Sequence, residues 1–251
     1  MTRTLAAIAA AAYLFLHLPL AVLAAFSFNS SRFTVWEGFS LRWYRAVWED
    51  ARLMEAAWNS VWIGLTAAAA ASALGTLAAY GMWKRRARFL EASLYLSLIT
   101  PEVVTGVSLL AFYQWAFRFL DLRLGMHTVV LAHVAFSLAY VVVVVMARLR
   151  TMDASLEEAA LDLGATPFEA FRRVTLPQLT PAVGTAALLA FAISFDDYVI
   201  TSLVAGVDSE TLPMAIYAMA RRGVSPAVNA LSTVILVAIG VLTLTAERWR
   251  R

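Results

Sequence analysis

The sequence predicts an all-α, polytopic integral membrane protein, a bundle of six transmembrane helices. Three observations predict it. Hydrophobic residues fill 61% of the 251 positions and charged residues only 15%, against roughly 45–50% and about 25% in an ordinary globular domain. Apolar runs of about 20 residues, the length needed to cross a hydrocarbon core about 30 Å thick, occur near 5–28, 58–83, 94–117, 128–147, 180–204 and 228–246. Finally, a segment in lipid must satisfy its backbone groups, and uninterrupted runs such as Val141 to Val145 lack the alternation of a barrel strand, so the spans are helices. These runs leave no stretch for a separate soluble domain, and 1–251 reads as one membrane domain. With no cysteine in the chain, disulfides, thiolate catalysis and cysteine-ligated metals are excluded.

In the first span, Arg3, an alanine-rich stretch and Val22-Leu23-Ala24 also fit a secretory signal, but the apolar run exceeds the usual h-region of about 7–15 residues, so a retained helix is expected. His17 and Pro19 within it read as packing features. Between the first two spans, Trp36, Trp43, Tyr44 and Trp48 lie among charges. Rings with a polar edge partition to the headgroup level, so Leu41 to Glu49 is expected as a short interfacial helix, with a partner-docking surface as the alternative. In the third span Thr100-Pro101-Glu102 predicts a kink or break, because proline lacks an amide hydrogen. In the fourth, His127 and His133 are six residues apart, which is not the i, i+4 spacing of a metal pair; both read as packing or interface histidines.

A net charge of +3 and a pI near 9.4 do not point to nucleic acid, because the basic residues sit in short clusters between apolar runs. They set topology. With the N-terminus inside, Arg3, Lys84, Arg85, Arg86, Arg88, Arg148, Arg150, Arg172, Arg173, Arg248, Arg250 and Arg251 are cytoplasmic. The opposite side receives Arg32, Arg42, Arg45, Arg52, Arg118, Arg123, Arg221 and Arg222, largely offset by acids such as Glu37, Asp121 and Asp208. The positive-inside rule favours this arrangement, with both termini cytoplasmic.

The connection from Arg148 to Leu179 reads as two short helices. Ser155 and Glu158 fit a capping box, Leu156, Ala159, Ala160 and Leu163 recur at helical spacing, and Gly164 suits the left-handed turn that ends a helix. Thr166, Pro167 and Glu169 repeat the start signal, and Pro177 and Pro181 are expected to end this segment and open the next span. Taken alone, the pattern fits either a rigid lever or a connecting hairpin with a solvated face.

Ionisable groups within spans are costly and mark candidate pathways. Glu102, Asp196 and Asp197 qualify, the aspartates about 24 Å of helix beyond Thr180 at roughly 1.5 Å per residue. No lysine or arginine falls clearly within the core of a span to neutralise them, so the field favours cations. The alternative is that the aspartates face a wet vestibule or cap a broken helix and that Glu102 is bonded across helices.

Glu158-Ala159-Ala160, then Gly164, then Val174-Thr175-Leu176-Pro177 after a nine-residue gap resembles the EAA signature of permease subunits of binding-protein-dependent ABC importers, with Val174 where isoleucine is usual. The resemblance implies the type I ABC importer permease fold and a coupling helix. It places Glu157, Glu158, Ala159, Ala160, Leu163, Gly164, Leu176 and Pro177 in ATPase coupling. It implies as partners two ATP-binding cassette subunits, which bind the ATP and Mg2+, an extracytoplasmic solute-binding protein, and a second, similar permease chain. The chain has no GxxxxGK[ST] loop of its own, so no catalytic site is expected in it.

Ser194-Phe195-Asp196-Asp197, Leu212-Pro213, Ile216-Tyr217, Gly223-Val224-Ser225-Pro226, Val228-Asn229-Ala230, Asn29-Ser30-Ser31, Trp43-Tyr44 and Asn59-Ser60 are similar to the C-type permease of spermidine/putrescine importers. That resemblance implies a polyamine substrate in the bacterial inner membrane. Related branches carry ferric iron, sulfate, molybdate, thiamine, opines or phosphonates, and the anions fit poorly beside three acids. A proton-coupled secondary transporter using the same acids is the alternative from another class.

Overall fold

A computed structural model of the chain describes residues 2–33, 35–85, 87–119, 122–221, 223 and 226–249, with backbone only at 2, 3, 88, 91 and 242–249. Arg86, Asp121, Arg222, Val224, Ser225, Arg250 and Arg251, and the side chains of Arg3, Arg88 and Arg248, lie outside the described residues. In chain order the helices are α1 (Thr2–Phe26), α2 (Arg42–Glu49), α3 (Ala51–Arg85), α4 (Arg88–Ile99), α5 (Glu102–Phe117), α6 (Met126–Leu149), α7 (Ser155–Asp162), α8 (Pro167–Ala170), α9 (Leu176–Asp196), α10 (Val199–Val204), α11 (Leu212–Arg221) and α12 (Pro226–Trp249). Among the described residues there is no strand, only an isolated bridge between Asn29 and Phe39.

Among the described residues four helical stretches are long and apolar enough to cross a membrane: Thr4–Phe26, Ala51–Arg85, Met126–Leu149 and Pro167–Asp196. The third expected span is a pair, α4 and α5, bent by 106° at the break. The expected sixth coincides with α12, whose Pro226–Val241 stretch is a shorter apolar helix. The chain forms two compact units, 1–55 with 215–251 and 56–214.

In the first unit α12 packs on α1 and α2. Asn29 organises the turn after α1: its amide donates to the carbonyls of Phe33 and Val35 at 3.2 and 2.7 Å, and its Oδ1 accepts from the amides of Ser31 and Glu37. Trp43 Nε1 donates to the Asn29 carbonyl, which fixes α2 to this turn.

The second unit is built around α6, which packs against α4, α5, α9 and α10. Helices in lipid gain no hydrophobic drive from meeting one another, so close backbone approach through small residues supplies the packing. Ala67, Ala71 and Ala79 are fully buried along α3 at four-residue multiples. Gly75 completes that ridge, and a Cβ there would lie 2.6 Å from Val141 Cγ1 of α6. Polar pins close the ends of the unit. Asn59 donates to the Glu210 carbonyl at 3.0 Å, the Leu212 amide donates to Ser60 Oγ at 2.8 Å, and Thr128 Oγ1 donates to the Val204 carbonyl at 2.7 Å.

Two local expectations need correction. The Ser155–Glu158 capping box does not form, because Asp153 accepts hydrogen bonds from both the amide and the hydroxyl of Ser155, and α7 starts without a side-chain cap. Nor do Pro177 and Pro181 end a segment. The helix runs on from Pro167 to Asp196 through a π-helical turn over Phe171–Thr175 that shifts the register just before Pro177, and Pro181 lies inside α9.

Candidate functional site: a cavity between two broken helices and a tethered hairpin

Two spans of the second unit are interrupted, and the interruptions meet. At the first, the Thr100 amide and hydroxyl both donate to the Leu96 carbonyl, closing α4. Pro101 then turns the chain, and Glu102 stands in the first turn of α5, where free amides favour a carboxyl group. At the second, α9 stops at Asp196 and Asp197 is extended at φ −68°, ψ 126°. The Asp197 carboxylate then caps α10 by accepting from the amides of Ile200 and Thr201 at 3.3 and 2.8 Å and from Thr201 Oγ1 at 2.7 Å. Gly106 lets α10 close on α5, since a Cβ there would lie 2.6 Å from Leu203 Cδ1.

Between the breaks lies a cavity of about 700 Å3 whose lining includes Glu102, Asp196, Asp197, Phe136, Tyr140 and Tyr198 and, among the described residues, neither lysine nor arginine. Irregular backbone at membrane depth is tolerated where it is buried or lines a wet cavity. The three acids singled out in the sequence therefore share one wall system, although they come from two spans. Glu102 and Asp196 are exposed to the cavity side of this chain, whereas Asp197 is 5% exposed and doubles as the helix cap. Sequence reasoning missed the polar support behind Asp197: His133 of α6 contacts Ser194 at 2.6 Å and Thr201 at 2.9 Å. A histidine alone on an apolar helix gives no clue to partners 61 and 68 residues away.

At the hairpin, Gly164 takes φ +90° between α7 and α8, a conformation that a side chain strains. The Thr166–Glu169 capping box forms reciprocally, at 3.0 Å from the Thr166 amide and 3.3 Å from the Glu169 amide. The two neighbouring carboxylates of α7 have separate fates. Glu158 is exposed, but Glu157 is buried and accepts from Tyr80 Oη at 2.5 Å, Thr175 Oγ1 at 2.7 Å and Lys84 Nζ at 2.9 Å. Burial alone would raise the Glu157 carboxyl, yet the hydrogen bonds from Tyr80, Lys84 and Thr175 and the Lys84 charge hold it below the ordinary glutamate range. Glu157 thus ties α7 to the end of α3 and to the π-turn, and the Tyr80 ring lies tilted against Phe171 with ring centroids 4.5 Å apart.

The outer side of the hairpin is apolar. Leu163 is 90% and Phe168 69% exposed, and a hollow of about 330 Å3 is lined by Ala160, Leu163, Gly164, Ala165, Ala170 and Val174 together with the charged Glu169 and Arg173. Ala159 and Pro177 are exposed and Leu176 partly so. Of the eight hairpin residues singled out, the structure gathers Ala160, Leu163 and Gly164 at the hollow and turns Glu157 away from it.

Residues 71–251 match the protein family described as the binding-protein-dependent transport system inner membrane component. The chain is 44% identical over 238 residues to the putrescine transport system permease protein PotI of Escherichia coli (strain K12), covering 92% of this chain and 84% of that protein. It is 37% identical over 241 residues to the spermidine/putrescine transport system permease protein PotC of the same organism, covering 94% and 90%. The PotC protein of Haemophilus influenzae is 39% identical over 229 residues, covering 90% and 88%. A chain in the crystal structure of a bacterial ABC transporter involved in the import of the acidic polysaccharide alginate superposes with a TM-score of 0.77 at 15% identity, covering 99% of this chain and 95% of that one. At that identity the likeness concerns the fold alone.

Proposed function

The chain belongs to the family of binding-protein-dependent transport system inner membrane components, and on that premise we propose that it is the permease subunit of an ATP-driven importer that carries a polyamine across the bacterial inner membrane. One observation carries the substrate class: three carboxyl groups and three aromatic rings line a single cavity that no lysine or arginine among the described residues lines. Ammonium groups hydrogen-bond to carboxylates and are drawn over aromatic faces, while sulfate, molybdate or a phosphonate would meet repulsion. Relatives named for putrescine and spermidine transport support the same class. Family membership also removes the proton-driven secondary transporter.

The permease itself performs no hydrolysis. ATP and Mg2+ bind to partner ATPase subunits, which receive the exposed side of the hairpin, with Glu158, Ala159, Ala160 and Leu163 at the contact and Gly164 presenting the helix. Two ATPases, an extracytoplasmic binding protein and a second, non-identical permease complete the assembly, the whole chain serves as one half of the pore, and both termini lie in the cytoplasm. Closure of the ATPase pair displaces the hairpin and reorients the bundle.

The test is uptake of radiolabelled putrescine into proteoliposomes containing the complete transporter and internal ATP. Glu102→Gln, Asp196→Asn and Asp197→Asn are expected to reduce uptake; full uptake in all three variants overturns the pathway. Titration of the cognate binding protein tests the substrate, since saturable binding of molybdate or ferric iron without polyamine binding overturns it.

A further inference from the structure

Behind the cavity wall, His133 is fully buried and meets the two interrupted halves of the fifth span at once. Its Nδ1 lies 2.6 Å from Ser194 Oγ in the last turn of α9, and its Nε2 lies 2.9 Å from Thr201 Oγ1 in α10 and 3.5 Å from Asp197 Oδ2. Thr201 Oγ1 has one hydrogen, and its nearest acceptor is Asp197 Oδ2 at 2.7 Å, so toward His133 the hydroxyl accepts. Ser194 Oγ, which can donate or accept, meets the other ring nitrogen.

We propose that His133 is a positioning residue for the solute pathway: its imidazole links Ser194, Thr201 and Asp197 in one chain of contacts and thereby holds the Asp197 carboxyl at the cavity wall across the break between α9 and α10. The inference rests on the reading of that cavity as the pathway. His133 touches no solute and acts through Thr201. Without the imidazole, Thr201 Oγ1 loses its donor, Ser194 Oγ loses its partner, and the side-chain bonds that join α6 to both sides of the break are gone. Asp197 would keep its two amide caps, so α10 survives while the carboxyl's position relative to Glu102 and Asp196 loosens.

The experiment is a double-mutant cycle on putrescine uptake in proteoliposomes holding the complete transporter. His133→Leu is expected to raise the half-saturating concentration of loaded binding protein or lower maximal uptake by about 10-fold, the scale of a lost hydrogen bond to a charged group. His133→Gln, whose amide nitrogen and oxygen can serve Thr201 and Ser194, is expected to recover to within about 3-fold. In an Asp197→Asn background, His133→Leu should cost less than about 2-fold more, because the two residues act as a unit. Equal losses from His133→Leu in both backgrounds, or no recovery with His133→Gln, overturn the positioning role. If His133→Leu does not assemble, Thr201→Val breaks the same link from α10 and carries the same expectations of loss and non-additivity. Asp197→Asn with undiminished uptake is a separate outcome: it overturns Asp197 as part of the pathway, and the inference with it.

Discussion

Replacing Glu157 tests whether the hairpin is tied to the bundle or merely leans on it. Glu157→Ala removes the acceptor of three hydrogen bonds of 2.5, 2.7 and 2.9 Å from a carboxylate 5% exposed. Lys84 is 38% exposed and returns to water, so its share is discounted to about 0–1 kcal/mol. Tyr80 and Thr175 are left as unpaired donors; each orphaned group costs about 1–3 kcal/mol, so the attachment of α7 weakens by about 3 kcal/mol. At about 1.36 kcal/mol per decade that is roughly a 150-fold rise in local opening. Glu157→Gln should be far milder, below about 10-fold. Its amide oxygen can still accept from Tyr80 and Lys84, while Thr175 rotates its hydroxyl to accept from the amide nitrogen. Hydrogen exchange at the amides of residues 155–163 in the purified complex reads the opening directly, and a coupled assay should show ATP hydrolysis persisting while uptake falls. Exchange within about 3-fold of wild type in Glu157→Ala, or equal losses in the two variants, would refute the tether.

The same carboxylate gives a pH expectation. Its folded value is depressed below the ordinary 4.5, so its stabilisation is present above that pH and is lost as pH falls through the depressed folded value; α7 exchange in wild type and Glu157→Gln should converge there. Gly164→Val meets no neighbouring atom but must adopt φ +90°, costing about 1–2 kcal/mol, whereas Gly164→Asn tolerates the conformation. Uptake per ATP hydrolysed should therefore fall in the valine variant and largely survive in the asparagine one. At Gly206 a Cβ would lie 1.8 Å from the Leu124 carbonyl oxygen. Because both neighbours are backbone, Gly206→Ala should destabilise the second unit by about 2 kcal/mol or more, measurable as a lower midpoint of thermal aggregation in detergent.

What a single chain read alone makes legible depends on range. The spans were legible because lipid imposes length and apolarity on each helix separately, and the hairpin because Gly164, Thr166 and Pro167 act on their own backbone. Pro101 likewise announced the break that the structure shows as a 106° bend. At Ser155 the local code misled, because Asp153 competes for the same groups two residues earlier. At Pro177 it misled because a π-turn absorbs the proline, and nothing short-range distinguishes that outcome from a helix end. The acids were legible by their cost in lipid, but their convergence needed Gly106 to admit α10 against α5. Glu157 and Glu158 look equivalent in sequence; Thr175, Lys84 and Tyr80, the last 77 residues away, separate the anchor from its exposed neighbour. Several of the polar residues that suggested the polyamine branch, Asn29, Asn59 and Ser60, turn out to pin loops rather than to line the cavity.

The hairpin and the cavity stand at opposite ends of one helical run. From Pro167 to Asp196 the backbone stays helical for 30 residues, about 45 Å at roughly 1.5 Å per residue, and both ends are held by buried carboxylates of long reach. Glu157 binds the start of that run to α3 through Thr175 and Tyr80, and Asp197 binds its end to α10 and, by way of Thr201 and His133, to α6. A rod held at both ends by directional bonds moves as a lever, because its packed faces offer discrete alternatives rather than continuous deformation. On the proposed function, a push at the hairpin arrives at the break after Asp196, where the backbone leaves the helix. The three carboxyl groups line the cavity at that break, so the proposal places mechanical work and solute recognition at the least regular backbone of the span.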